Sequence, residues 1–209
     1  MTIFYIDTTS SYLYTGIVKN NDLLIEKKEN LGKNLSIETV SIVSKMFNEI
    51  KLKPNEIDKI IVVNGPGSFT GIRIGVTLAK IMAYSLNIAI TTITSLEAMS
   101  KSIRTNKLIV PIINARRDAC YGAIYENEKE ILEGKYMPIE KLKLFLLGLN
   151  KDYTFISNDS FPFSVEKYDP DILNIVNYYK DRDNINPHLV NPLYLKLTEA
   201  EENRLKEND

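Results

Sequence analysis

Residues 59–86 constrain the fold more than any other stretch. Lys59–Val63 (KIIVV) is a short, β-branched, apolar strand, and Thr70–Leu86 is helical in pattern and nearly free of breakers. Between them runs Asn64-Gly65-Pro66-Gly67-Ser68-Phe69. Strand, glycine turn and helix in that order predict an α/β unit. Gly65 and Gly67 permit positive φ and close backbone approach, Pro66 stiffens the turn, and the hydroxyl of Ser68 or Thr70 is placed to cap the helix. Backbone N–H groups at such a helix start can face an anion, so Gly65, Gly67, Ser68 and Thr70 are candidate phosphate-binding residues. The run lacks the Lys-Ser/Thr ending of a Walker loop and the full Gly-x-Gly-x-x-Gly of a dinucleotide turn. A packing turn without a ligand is the preferred reading.

The surrounding pattern extends this unit. Residues 2–8, 11–18 and 22–29 read as three strands joined by Ser10-Ser11 and Asn20-Asn21-Asp22, an antiparallel meander. A helix over 36–51, strand 58–64, helix 70–86, strand 88–93 and helix 95–104 follow. Three hairpin strands leading into β-α-β-α fit the opening lobe of an α/β, ribonuclease-H-like or actin-like fold, that of sugar kinases, Hsp70 and actin. A smaller, degenerate second lobe is expected over 105–192, with strands 107–115, 119–126, 130–137 and 153–157 and helices 139–148 and 169–180. The N-terminal lobe is expected over 1–104, joined by the C-terminal segment 193–209. The highly charged stretch Glu199–Asp209 reads as a frayed or disordered helix. No identity between the halves reveals a repeat.

Little of the usual catalytic chemistry is present. His188 is the single histidine, so a zinc or iron site built on paired histidines is excluded within this chain, and a loop position is expected for it. Cys120 is the single cysteine, which rules out an internal disulfide, fits a reducing cytosol and suggests a small buried hydrophobe. Lys plus Arg total 26 against 27 Asp plus Glu, so no global positive field draws in RNA. Met1-Thr2-Ile3 runs straight into a strand, which argues against a signal peptide, and Arg73 and Lys80 argue against a membrane span in the longest helix. A cytoplasmic protein is expected. In actin-like ATPases a carboxylate at the position of Asp7 helps hold magnesium, beside hydroxyls such as those of Thr8-Thr9-Ser10-Ser11. The alternative, preferred because no second phosphate loop with paired glycines is visible, is an Asx-turn from Asp7 to Thr9. Arg116 and Arg117 could grip a phosphate, but a salt bridge across the turn with Asp118 is favoured.

Two helices carry more apolar surface than one packing face needs. In 70–86, Arg73, Thr77, Lys80 and Tyr84 share a narrow arc, and the apolar remainder spans about twice the usual stripe of roughly 100°. Gly71, Gly75, Ala79 and Ala83 recur every four residues, a row that would let another helix approach closely. Helix 36–51 adds Val40, Val43 and Phe47. These residues, with Met82, are the expected partner interface, of the order of 1,500 Å² in total. The alternative is that the two helices bury each other within the monomer.

The run GPGSFTGIRIG, followed by a helix and then Thr94-Ser95-Leu96-Glu97-Ala98, resembles the bacterial TsaB family, also called YeaZ. The opening Ile3-Phe4-Tyr5-Ile6-Asp7-Thr8-Thr9, the segment Asn114-Ala115-Arg116-Arg117-Asp118 through Tyr121, and Asn191-Pro192-Leu193-Tyr194-Leu195-Lys196 match it elsewhere. Leu35 stands where many relatives carry a His, Asn114 where Asp is usual, and Lys196 where Arg is usual. The resemblance implies a noncatalytic scaffold in tRNA modification. Its metal-bearing relative TsaD transfers a threonylcarbamoyl group to adenosine 37 of tRNAs reading ANN codons, and an ATPase, TsaE, joins the pair. It further implies a homodimer when the chain is alone, tRNA contacted through the complex, no intrinsic cofactor, and ATP and metal supplied only through the partners. The rival readings are an actin-like ATPase or kinase and a metal-dependent glycoprotease, the latter disfavoured by the single histidine.

Overall fold

The computed structural model of this chain describes residues 1–196. Strands β1 (Thr2–Asp7), β2 (Tyr12–Lys19) and β3 (Asp22–Asn30) form the expected antiparallel meander. Helix α1 (Leu35–Glu49), β4 (Lys59–Val63), α2 (Phe69–Leu86), β5 (Ala89–Ile93) and α3 (Ser95–Ser100) complete the first lobe. β4 lies parallel to β1 and β5 parallel to β4, which gives the strand order β3-β2-β1-β4-β5.

The second lobe contains β6 (Leu108–Asn114), β7 (Ala119–Glu126), β8 (Lys129–Pro138), α4 (Ile139–Leu149), β9 (Tyr153–Ser157) and the two-residue β10 (Glu166–Lys167). Its sheet runs β10-β9-β6-β7-β8. Counted from its own meander, that is the same 3-2-1-4-5 order as the first. The repeat that sequence identity hides is therefore plain in the topology. Both meanders also close alike. Asn20-Asn21 (φ 52° and 69°) and Asn127-Glu128 (φ 45° and 69°) place two successive left-handed residues between the second and third strands, the backbone a tight hairpin of the right twist requires.

Strand alternation sorts the core into layers. Phe4, Ile6, Ile60 and Val62 point outward beneath α1 and α2, while Ile3, Tyr5, Ile61 and Val63 point inward. The inner face packs on α3, on α5 (Ile172–Tyr179) and on Ile109, Ala123 and Ile156 of the second sheet. Leu108, Val110, Ile112, Cys120 and Ile124 face outward beneath α4. Each fully buried aliphatic or aromatic side chain here contributes about 1.5–3 kcal/mol.

Two boundaries differ from the sequence reading. α3 stops at Ser100 rather than 104, because Ser100 Oγ and Ser102 Oγ donate back to the carbonyls of Glu97 and Met99 and draw the last turn closed. The chain also rejoins the first lobe well before residue 193. Ile172, Ile175 and Val176 of α5 share a core with Ile3 and Tyr5, and Ile185 N donates to Ile90 O (2.8 Å). The stretch Glu199–Asp209, and with it most of the proposed joining segment 193–209, lies outside the described residues.

Candidate functional site

A cleft of about 590 Å³ opens between the lobes, where the turns after β1 and β6 face each other. Asp7, Thr9, Ser68 and Thr70 come to it from the first lobe, and Asn114, Arg116 and Asn158 from the second. The sequence-predicted Asp7, Gly67, Ser68 and Thr70 are thus brought together, and Gly65 lies buried behind them.

The glycine turn owes its composition to packing. A Cβ on Gly67 would stand 2.2 Å from Thr9 O, and Ser68 N donates to that same carbonyl at 2.6 Å. Gly65 takes the positive φ (117°) and its peptide bond to Pro66 is cis. Ser68 is the N-cap of α2, its Oγ accepting from Gly71 N at 3.2 Å. One amide of the turn, Ser68 N, is thus already taken by the protein's own Thr9 carbonyl.

Asp7 makes the expected Asx-turn: its Oδ1 accepts from Thr9 N (2.8 Å) and Thr9 Oγ1 (2.7 Å). Burial outweighs these bonds and raises its carboxyl from 3.8 to about 6. Beneath the cleft the hydroxyls of Tyr5 and Tyr168 are buried facing each other, and desolvation raises both phenols well above their ordinary range. Tyr168 and Asn158, whose Nδ2 donates to Tyr14 Oη at 2.9 Å, carried no signal in the sequence, because neither sits in a recognisable motif. Across the cleft, Arg116, Arg117 and Asp118 all adopt left-handed backbone (φ 63°, 50° and 55°). Asn114 Oδ1 accepts from Arg116 N at 2.8 Å, which closes that turn.

Other sequence candidates have simpler roles. His188 stands exposed in a loop, its ring edge-on to Tyr84. Cys120 is buried in the second lobe's outer core, its thiol pushed up to about 11 by desolvation. Leu35 is buried at the start of α1, and the Lys196 ammonium lies over the Tyr136 ring. Among the described residues no group of three or more His, Cys, Asp or Glu is placed to hold a metal ion, and no helix is long and apolar enough to cross a membrane.

The expected partner surface is corrected in most of its members. Val43, Phe47, Ala79 and Ala83 are buried in the outer core of the first lobe. Gly71 and Gly75 lie against the protein's own first turn: a Cβ on Gly71 would meet Thr8 O at 2.2 Å, and one on Gly75 would meet Thr8 Oγ1 at 2.5 Å. The small-residue row admits a strand end of the same chain, not a foreign helix. Met82 is half-buried against that core. Of the set, Val40 (59% exposed) remains open, and it lines an apolar groove of about 490 Å³ with Phe69, Ile74, Leu78 and Ile81 (61% exposed). Excess apolar character was readable from α2; which side the sheet would claim was not.

Comparison with known proteins places these features in context. The model of the family described as TsaD, tRNA N6-adenosine threonylcarbamoyltransferase, matches residues 28–144. The tRNA threonylcarbamoyladenosine biosynthesis protein TsaB of Bacillus subtilis (strain 168) is 31% identical over 222 aligned positions, covering 96% of each chain. The protein of that name from Buchnera aphidicola subsp. Acyrthosiphon pisum is 26% identical over 151 positions, 68% of each chain. Among solved structures, a Pseudomonas aeruginosa protein described as similar to peptidase YEAZ superposes with a TM-score of 0.79 at 18% identity, covering 93% of this chain and 99% of its own. YeaZ from Pseudomonas aeruginosa gives 0.76 at 17% identity, covering 92% and 100%. These two share the fold, a two-lobed α/β arrangement.

Proposed function

From the premise that this chain belongs to the TsaB family, we propose that it is a noncatalytic partner subunit in the biosynthesis of threonylcarbamoyladenosine in tRNA. In this reading it pairs with a TsaD-type protein, which carries out the transfer at adenosine 37 of tRNAs reading ANN codons. A TsaE-type ATPase joins the pair, and tRNA, ATP and metal are engaged through those partners in the cytoplasm. Alone, the chain forms a homodimer through the same surface.

The observation that carries this reading is the open groove between α1 and α2. Val40 and Ile81 leave apolar surface in water at its edges, on helices whose other faces are already packed on the first sheet. The α2 turn supports the same reading against an actin-like ATPase, since its amide Ser68 N is already bonded to Thr9 O.

Sedimentation of the chain alone and with the TsaD-type protein of the same cell tests it. Wild type is expected to dimerise alone and to form a heterodimer with the partner. Ile81→Glu should lose both associations while its melting temperature stays unchanged, because exposed substitutions cost within about 0.5 kcal/mol. Association by Ile81→Glu equal to wild type would overturn the groove as the interface. ATP turnover by the isolated chain that Asp7→Ala abolishes would overturn the noncatalytic assignment.

A further inference from the structure

A second hollow, of about 560 Å³, lies at the far end of β6 and β7 from the cleft. It is bounded by the connection Ser100–Asn106 between the lobes, by the β7–β8 hairpin at Asn127-Glu128, and by Asn174 of α5. Lys101 and Arg104 both line it.

Lys101 is the unusual member. Only 4% of it is exposed, yet among the described residues its ammonium has just a long contact to Glu128 O (3.5 Å) and the face of the Tyr178 ring (3.5 Å). An ammonium carries three donors, and neither contact matches a charge-assisted hydrogen bond of about 2.7–2.9 Å. Arg104, exposed on the rim, has five more. Among the described residues no carboxylate lies within ion-pairing distance of either cation. Glu128 is near enough to favour the charged form of Lys101, as is Glu97, but burial wins and lowers the ammonium below the ordinary lysine value. Thr105 and Asn106 add neutral donors to the same wall.

We propose that this hollow binds a small oxyanion, a phosphate monoester or a carboxylate, held between the Lys101 ammonium and the Arg104 guanidinium. The ligand would complete the hydrogen bonding of a largely buried cation. The site draws on the connection between the lobes, on the second sheet and on α5, so the bound anion would tie the three together. It shares no residue with the cleft or the groove and does not depend on the function proposed above.

Titration of the full chain with inorganic phosphate and with acetate, at ionic strength held constant with chloride and followed by amide NMR, tests it. Saturable shifts are expected at Ser100–Asn106 and Asn127-Glu128. Saturation by phosphate alone identifies the phosphate-type ligand, and saturation by acetate alone the carboxylate. Arg104→Gln, a rim substitution, should weaken binding by at least about tenfold, the worth of one hydrogen bond to a charged group. Lys101→Met should abolish binding and Lys101→Arg retain it. No saturable shift with either anion, or unchanged affinity in Arg104→Gln, would overturn the proposal even if Lys101→Met failed to fold.

Discussion

The two lobes share a strand order but solve one problem differently. Each must cover the outer face of its sheet beside the helix that follows the meander. The first lobe does so with α2, an 18-residue helix entered through the glycine turn. The second has no helix between β9 and β10; residues 158–165 cross there as a loop, and Phe161, Phe163 and Val165 pack on the outer core. Phe155, Phe163 and Phe161 pack in succession as tilted rings, with centroids 4.8 and 5.2 Å apart. The junction to the neighbouring turn differs likewise. In the first lobe it joins backbone to backbone, Ser68 N to Thr9 O; in the second, Asn114 N donates to the Asp159 side chain at 2.8 Å. A helix packed that closely demands glycines. A loop reaching across with a carboxylate does not.

The comparison can be broken at its tightest point. Gly67→Val places carbon where Thr9 O already stands, and it should cost about 3 kcal/mol or more, or prevent folding. A urea midpoint within error of wild type would show that the turn can relax and that the lobes differ less than their packing implies.

Asp7 sharpens the contrast from within the first lobe. Its folded carboxyl titrates near 6, above 3.8, so the native state holds its proton more tightly than the unfolded chain. Its contribution to stability is therefore fully present below about pH 4 and is lost as pH rises through 6, ending as a cost of about 2–3 kcal/mol at neutral pH. Asp7→Asn keeps an acceptor for Thr9 and should raise stability by about that amount at pH 7.5, with the gain shrinking toward pH 4.5. An equal gain at both pH values would refute the burial argument.

The second lobe should respond more mildly. Asp159→Ala removes one exposed side-chain acceptor and should cost about 1 kcal/mol by denaturant melting. Smaller still, Leu144→Ser on α4, where Leu144 is 68% exposed, should stay within about 0.5 kcal/mol. A large loss there would mean that α4 is covered in solution.

The sequence reading succeeded where local rules dominate. The Asx-turn of Asp7 and the cap of α2 by the Ser68 hydroxyl depend on neighbours a few residues apart, as do the strands with their alternation. It failed where partners lie far apart in the chain. The row Gly71, Gly75, Ala79, Ala83 looked like a face for another helix because nothing local says that Thr8 packs into it. Tyr168 and Asn158 reach the cleft from the second lobe's far end, beyond any periodicity. The repeated strand order escaped for the same reason: it resides in pairing, and the loop that replaces α2 broke the pattern.

The return of the chain to the first lobe has a consequence for synthesis. β5 is an edge strand, and its outer side is covered by residues near the C-terminal end: Thr91 Oγ1 donates to Asp183 O (2.9 Å), and Ile185 N to Ile90 O. The buried Lys59 ammonium likewise donates to the carbonyls of Lys180 and Arg182. On the ribosome, residues 1–100 emerge with that edge bare and that lysine unsolvated by protein. The first lobe to be made is thus the last to be finished, and the interval in which its edge can pair with another nascent chain lasts until the segment after α5 arrives.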